Sequence, residues 1–298
     1  MTMLSAAAPA MGVGVDWLSA SCNSARGMQA LMDWRDERFT ALVGEGNQLK
    51  HLHAHGRRGW AVGGASLLLG RNDVLVVLSG DRAREDWRLV AGAATNISRL
   101  DLQATTGPGA GGRHLAERSY RTLAGFPPRR GKRPAASLLT TSKGAETLYL
   151  GQRISDQFGR LYDKGAESGD AHYSGCWRYE VVLKRRYATH AVQALLATKA
   201  EGPLVAGSVH DWFRSRGVTP RFDATGLAVG SPVPPALSDD QRWRDWYRRA
   251  VRVGALRHLS GLTWREAVSL LCPLPPSRED LEAWLSAMDE ESSTVTPR

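Results

Sequence analysis

The sequence of 298 residues contains little cysteine and no long apolar run. Its three cysteines, Cys22, Cys176 and Cys272, are widely separated. This odd set without paired spacing argues against a disulfide framework and is typical of a reduced, cytoplasmic chain. No segment approaches the roughly 18 consecutive apolar residues of a membrane span, and the apolar opening segment lacks the basic residues that begin a signal peptide. We therefore expect a cytoplasmic protein with no membrane partner.

The sequence also lacks a nucleotide-binding loop and is short of negative charge. Residues 106–112 are rich in glycine, but they lack the Lys-Ser/Thr of a P-loop and the spacing of a dinucleotide fingerprint, so we interpret them as a flexible connection. The 39 basic residues outnumber the 30 acidic ones, which gives a net charge of +9 and a pI near 9.8. Such a balance suits a polyanionic partner without establishing one.

Composition separates a main domain from a helical C-terminal region. Residues 229–237 are rich in proline and form the best linker candidate in the chain. Beyond them, three capping patterns predict three helices, which form a small bundle or a helix-turn-helix-like appendage. We assign a disordered N-terminus to residues 1–12, the main domain to 13–228, the linker to 229–237, the helical region to 238–291 and a disordered tail to 292–298.

The main domain mixes strand and helix patterns. Strands are predicted at residues 13–22, 65–69, 74–79, 96–106, 147–151, 158–162 and 176–184, and helices at 24–42, 84–94, 113–123, 188–200 and 209–216. The runs 147–151 and 158–162 flank a polar turn and are typical of a β-hairpin. The pattern favours an α+β fold, in which a mostly antiparallel sheet carries the site on one face and helices on the other.

Alternation along the predicted strands brings polar side chains together. Arg160 and Tyr162 share one face of their strand, and Lys164 joins them if the strand continues. Asp101 and Glu180 each lie between apolar neighbours on a charged strand face. A solvated outer face would carry such charges too. A tyrosine between two cations, near carboxylates, also suits a site for phosphate.

Several segments resemble the replication initiation factor family, also called Rep_trans. These are residues 148–156, 160–165 and 178–184, together with Asp16-Trp-Leu in the first strand and residues 96–106. The family comprises rolling-circle initiators of plasmids and phages and related relaxases of mobile elements. The resemblance covers roughly residues 13–188. It departs from the family pattern at residues 81–84, and at Thr105, where many relatives carry a second aspartate.

The resemblance implies that the protein nicks and rejoins one DNA strand through a 5′-phosphotyrosyl intermediate. Tyr162 is the expected nucleophile. With an unperturbed pKa of about 10, a tyrosine hydroxyl is a poor nucleophile at neutral pH, and we expect Arg160 and Lys164 to lower that pKa and to neutralise charge on the scissile phosphate. Asp101 and Glu180 are the expected ligands of Mg²⁺ or Mn²⁺. Tyr149, on the same hairpin, is the rival nucleophile. The ester conserves the energy of the phosphodiester, so the strand is rejoined without ATP.

The expected partner is origin DNA, single-stranded or extruded as a hairpin. Its backbone contacts are assigned to Arg153 and to the basic, proline-broken segment 126–134, through Arg129, Arg130, Lys132 and Arg133. A host helicase and a second copy of the chain remain open as partners.

Two other functions remain open at the level of sequence. His51-Leu-His53 has the His-hydrophobe-His form by which another class of nicking enzyme holds its metal, with His55 at the next alternate position. That function requires the histidines to lie within about 5 Å of a tyrosine and a carboxylate. The other is a non-catalytic DNA-binding protein, for which the basic charge and the C-terminal helices suffice.

Overall fold

The computed structural model describes residues 12–54, 56–125, 135–142 and 144–222. The strands are β1 Gly12–Cys22, β2 Lys50–Ala54, β3 Arg57–Val62, β4 Ala65–Leu69, β5 Val74–Ser79, β6 Asn96–Thr105, β7 Ala136–Thr140, β8 Glu146–Leu150, β9 Gln157–Asp163 and β10 Trp177–Lys184. The helices are α1 Ala25–Gly44, α2 Asp81–Ala93, α3 Leu115–Gly125, α4 Lys164–Ser168, α5 Arg186–Ala197 and α6 Glu201–Arg214, with a 3₁₀ turn at Ala171–Tyr173.

The ten strands of the described residues form one sheet in the order β2-β3-β4-β5-β1-β6-β10-β9-β8-β7. Every neighbouring pair in this sheet is antiparallel. The predicted α+β fold with an antiparallel sheet is therefore confirmed. Strands β2, β3 and β7 had not been predicted from the sequence. The sheet also places β6 directly beside β10, which brings the two strands with candidate carboxylates together.

One face of the sheet forms the hydrophobic core. Alternate residues of the central strands, such as Leu18, Leu100 and Tyr179, are completely buried. Helices α2, α5 and α6 pack against β1, β6 and β10, and the ring of Phe213 in α6 meets Tyr179 edge-on at 5.1 Å between centroids. Burial of each large apolar side chain stabilises the fold by about 1.5–3 kcal/mol.

A close approach between β9 and α6 depends on Gly159. A Cβ atom at this position would lie 2.4 Å from the Trp212 ring, which is closer than non-bonded carbon atoms come. Gly159 faces the core opposite Val181, so its two neighbours in β9 face the other way. The glycine thus lets α6 pack directly on the strand that carries Arg160 and Tyr162.

The chain divides into two compact units, Met1–Pro234 and Pro235–Arg298. The second unit lies outside the described residues, as do the predicted C-terminal helices, so the domain boundaries remain predictions. Arg129, Arg130, Lys132 and Arg133 also lie outside them. Across the part of the chain that is described, no helix combines the length and apolar character needed to cross a bilayer.

Candidate active site

The face of the sheet opposite α6 carries the candidate site. Cross-strand pairing aligns Glu180 with Gln103 of β6 and with Arg160 of β9, and it aligns Tyr162 with Arg178. Directly paired residues of antiparallel strands project to the same side. We call this side the polar face, defined by Arg99, Asp101, Gln103 and Thr105 of β6, Arg178 and Glu180 of β10, and Arg160 and Tyr162 of β9.

Tyr162 lies at the centre of the polar face and donates a hydrogen bond to Glu180. Its hydroxyl is 3.2 Å from Glu180 Oε2, while Arg160 forms an ion pair with Glu180 Oε1. Glu180 is completely buried and Tyr162 is 7% exposed. Burial, followed by the negative charge of Glu180, raises the pKa of Tyr162 above its ordinary value, although Arg178 and Arg160 oppose the shift. Tyr162 is therefore protonated at neutral pH, and its hydroxyl is hydrogen-bonded to the Glu180 carboxylate.

Asp101 forms the second carboxylate of the polar face. Arg99 donates to both of its oxygens, at 2.8 Å from Nε and 2.6 Å from a terminal nitrogen. Burial raises the pKa of Asp101 to about 7; Glu180 adds to the shift through its charge and as a hydrogen-bond partner, and Arg99 opposes it. Asp101 and Glu180 lie on the same face of the neighbouring strands β6 and β10, and their binding of a common cation remains a prediction.

The carboxylate pair suits a divalent cation in its donor atoms. Oxygen ligands are those that Mg²⁺ and Mn²⁺ prefer, and a cation between two buried carboxylates would relieve their repulsion. Each of the four oxygens already accepts one hydrogen bond, from Arg99, Arg160 or Tyr162. A carboxylate oxygen has a second lone pair for a metal. Asp101 and Glu180 therefore fit as two protein ligands.

Arg178 and Asp16 complete the surroundings of Tyr162. Arg178 is 3% exposed, and its Nε donates to the Thr105 hydroxyl at 3.0 Å. One of its terminal nitrogens lies 3.3 Å from Asp16 Oδ1. Asp16 belongs to β1, where the pairing with β6 shifts register between Val15 and Trp17. Sequence reasoning did not include these two residues in the site; for Asp16, the Asp16-Trp-Leu motif was the available signal.

The structure places Lys164 differently from the prediction. Strand β9 ends at Asp163, whose side chain accepts a hydrogen bond from the Ala166 amide at 2.9 Å and so caps α4. Lys164 is the first residue of that short helix and pairs with Glu167 at 2.6 Å. The expected flank of Arg160 and Lys164 is therefore replaced by Arg160 and Arg178. The pKa of Tyr162 is raised here, whereas the sequence analysis expected the cations to lower it.

Tyr149 and Arg153 lie beside the site. Tyr149 of β8 pairs with Arg160 across the strands and therefore shares the polar face. The guanidinium of Arg153, which is exposed, lies 5.1 Å from the centroid of the Tyr149 ring. No hydrogen bond among the described residues joins Tyr149 to either candidate metal ligand.

Two buried donors of the site have no acceptor among the described residues. They are Arg160 Nε and Trp17 Nε1. Trp17 pairs with Asp101 across β1 and β6, and the guanidinium of Arg99 lies 4.7 Å from its ring centroid. Buried donors without acceptors are costly. Oxygen atoms of a bound anion would satisfy them.

His51 and His53 lie far from Tyr162. Both are exposed on β2, the edge strand, and six strands separate β2 from β9 in the sheet. With seven spacings of 4.7–4.9 Å from β2 to β9, this places them roughly 33–34 Å away along the sheet. The condition set for the His-hydrophobe-His function is thus not met at Tyr162. His55 lies outside the described residues.

A different group of possible metal ligands had not been identified from sequence. His114, Glu117 and Glu146 offer ligand atoms that all lie within 4.8 Å of one another. The three residues are scattered over 32 positions of the chain, so no spacing motif signals them. They lie on α3 and β8 and not on the polar face.

Comparison with protein-family models supports the resemblance read from the strands. A structure titled "Structure of Rolling Circle Replication Initiator Protein from Geobacillus stearothermophilus" matches with 18% identity and a TM-score of 0.49, over 68% of this chain and 85% of that one. No curated protein matches the chain. The family described as replication initiation factor matches residues 127–215, a segment that contains β8, β9 and β10. The resemblance of this chain to the replication initiation factor family is therefore confirmed over that segment.

Proposed function

We propose that this protein nicks and rejoins a single DNA strand with Tyr162 as the nucleophile. The observation that carries the proposal is the hydrogen bond from the Tyr162 hydroxyl to Glu180 Oε2, on a face that also presents Arg160 and Arg178. A protonated tyrosine is a poor nucleophile, and an adjacent carboxylate supplies the base that it needs. The confirmed resemblance to replication initiation factors supports the same chemistry.

The proposed step balances as a transesterification. Tyr162 Oη attacks the phosphorus in line, the bond from phosphorus to the 3′-oxygen breaks, and a 5′-phosphotyrosyl ester forms. Glu180 Oε2 accepts the hydroxyl proton, and the departing 3′-oxygen takes a proton from water. The reverse attack by a 3′-hydroxyl restores the phosphodiester and frees Tyr162. No nucleotide is consumed, in keeping with a glycine-rich segment that lacks the residues of a P-loop.

The arginines of the polar face serve to hold the scissile phosphate. Arg160 is held in place by Glu180 and still has a buried Nε without an acceptor among the described residues. A guanidinium binds phosphate in a fixed, planar geometry and stabilises the charge that develops on it. Arg178 is fixed by Thr105 and Asp16, which orients its charge toward Tyr162.

Asp101 and Glu180 would hold Mg²⁺ or Mn²⁺. When bound, such a cation supplies Lewis-acid polarisation of a non-bridging phosphate oxygen. Arg99 orients the Asp101 carboxylate through two hydrogen bonds. Because that carboxylate has a pKa of about 7, it takes up a proton near neutral pH when no cation is present. The site is therefore set to exchange a proton for a metal.

Single-stranded DNA is the proposed substrate because aromatic rings alternate with cations beside the nucleophile. Tyr149 lies under Arg153, Phe158 lies 5.2 Å from the Lys184 ammonium, and Trp17 lies under Arg99. Proteins bind single strands by stacking bases on aromatic side chains while cations follow the backbone. The basic segment 126–134 would extend this contact. A host helicase and a homodimer remain proposals of the same kind.

The test uses single-stranded oligonucleotides tiled across the DNA that flanks the protein's own gene, incubated with the full chain and Mn²⁺. A 3′-labelled oligonucleotide should give a covalent protein–DNA band on a denaturing gel. A 5′-labelled one should release a shorter product with a free 3′-hydroxyl. Binding without an adduct for every oligonucleotide would instead favour the non-catalytic DNA-binding function. An adduct that carries the 5′ label would reverse the proposed polarity.

A further inference from the structure

A second cluster of ligating side chains lies on the core side of the sheet. His114 directly precedes α3, Glu117 lies in its first turn, and Glu146 begins β8. Thr147 pairs with Tyr162 and therefore projects to the polar face. Because successive side chains of a strand point to opposite faces, Glu146 and Leu148 project to the other side of the sheet. The cluster is therefore separated from Tyr162 by the sheet itself.

The geometry of the three side chains fits one metal ion. His114 Nδ1 lies 2.5 Å from Glu146 Oε1 and 3.9 Å from Glu117 Oε2. Zinc ligands about 2.0–2.2 Å from the ion stand about 3.3–3.5 Å apart in a tetrahedron. The two observed separations bracket that value, so shifts of the side-chain atoms by about an ångström would bring all three to the spacing that zinc requires.

The chemistry of the cluster differs from that of a helix cap alone. Glu146 is 5% exposed, and its Oε2 accepts a hydrogen bond from the Glu117 amide at 3.1 Å, as a capping carboxylate does. Its other oxygen is turned to an imidazole nitrogen, and a second carboxylate stands nearby. One imidazole and two carboxylates offer nitrogen and oxygen donors that zinc accepts as ligands, whereas Mg²⁺ prefers oxygen alone.

We propose that His114, Glu117 and Glu146 bind a zinc ion that fastens α3 to β8. The ion replaces the hydrogen between His114 Nδ1 and Glu146 Oε1, and any proton held there is released to solvent. Because the His114 side chain is exposed, a water molecule could occupy the fourth coordination position of the ion. This zinc site is independent of the proposed nicking chemistry, because its ligands lie on the other side of the sheet.

The position of the cluster gives the ion a structural role. Helix α3 packs against β7 and β8, the strands beyond β9. The loop before α3 is tied to β10 by a hydrogen bond of 2.9 Å from Trp177 Nε1 to the Gly112 carbonyl. Zinc would add a direct link from this loop to β8. The ion should therefore stabilise the part of the sheet that carries Tyr149.

The test measures zinc itself. The full chain is stripped with a chelator, titrated with Zn²⁺ by calorimetry, and assayed for bound metal after gel filtration. We expect one Zn²⁺ per chain, no displacement by excess Mg²⁺, and a higher melting temperature with zinc. Glu146→Gln and His114→Ala should each lose that ion and the rise in melting temperature. Glu117→Gln keeps the backbone amide that donates to Glu146, and it should lose the zinc ion too. This variant tests the site if Glu146→Gln fails to fold.

Two control variants separate this site from other metal sites. His51→Ala removes an exposed histidine of β2, and Asp101→Asn removes a carboxylate of the polar face; both should keep the tightly bound zinc. Zinc that persists in His114→Ala but disappears in His51→Ala would overturn the proposal. So would a chain that binds no zinc, whatever its activity on DNA. Failure of the nicking proposal would appear separately, as no covalent adduct in a chain that still binds zinc.

Discussion

Replacing Tyr162 by phenylalanine removes one oxygen atom from the centre of the proposed site. The ring is 7% exposed and stays in place, since phenylalanine fills the same space. The lost contact is the 3.2 Å hydrogen bond to Glu180. The Glu180 side chain is completely buried, and it keeps its ion pair with Arg160. Loss of one hydrogen bond to a charged group costs about 1.5–3 kcal/mol, a fraction of the 5–15 kcal/mol typical of a domain.

The variant should therefore fold and bind single-stranded DNA with near-normal affinity, yet form no covalent adduct. Adduct formation is measured with labelled single-stranded oligonucleotides and Mn²⁺ on a denaturing gel, affinity by fluorescence anisotropy, and stability by urea denaturation. The fluorescence and denaturation measurements are essential, because they separate loss of the nucleophile from loss of the fold.

Tyr149→Phe is the matched control. Tyr149 shares the polar face and pairs with Arg160, but its ring is covered by Arg153 rather than hydrogen-bonded to a candidate base. This variant should lose at most a modest part of the rate. An adduct that persists in Tyr162→Phe and vanishes in Tyr149→Phe would move the nucleophile to β8. Cleavage by both variants would refute the tyrosine mechanism altogether.

Three further predictions concern the polar face and its surroundings. Glu180→Gln removes the proposed base and should slow adduct formation roughly 10²–10⁴-fold while DNA binding persists; a wild-type rate would exclude that role. Because the pKa of Asp101 is raised to about 7 in the fold from an ordinary value of 3.8, the folded state holds the extra proton between these values. The free energy of unfolding of the metal-free protein should thus fall by at most about 4 kcal/mol as pH rises from about 4 to 7, and it should stay low above pH 7. Urea denaturation of Asp101→Asn should show no such fall. If the variant shows the same fall, a group other than Asp101 is responsible. Arg153→Ala should weaken single-strand binding and reduce the slope of log affinity against log salt concentration by about 0.7. Arg26→Ala, at an exposed position of α1, should change neither. Equal slopes for the two variants would show that Arg153 does not contact the DNA.

The sequence by itself determined which residues occupy each face of the central strands. A period of two is a local property, so the separation of Asp101 from Leu100, or of Glu180 from Tyr179, follows once the strands are recognised. The hairpin of β8 and β9 was equally local, because a polar turn joins two short strand patterns. These features sufficed for the α+β fold and for the resemblance on which the function rests.

Strand β3 shows where local patterns were insufficient. Its sequence, Arg57–Val62, begins with two arginines and a glycine, which are typical of a turn. Tertiary packing requires that glycine, since a Cβ at Gly59 would lie 1.9 Å from the Leu67 carbonyl oxygen of β4. A residue that is unfavourable for an isolated strand is thus favourable in this sheet.

The partners of Tyr162 were decided only by the tertiary structure. Pairing of β9 with β10 sets Tyr162 opposite Arg178 and next to Glu180. The resulting burial beside a carboxylate raises the pKa of Tyr162, the reverse of what neighbouring cations in the sequence suggest. Register and burial depend on contacts between distant segments, and these long-range contacts bring a row of polar residues together around Tyr162 and Glu180, the nucleophile and base that we propose.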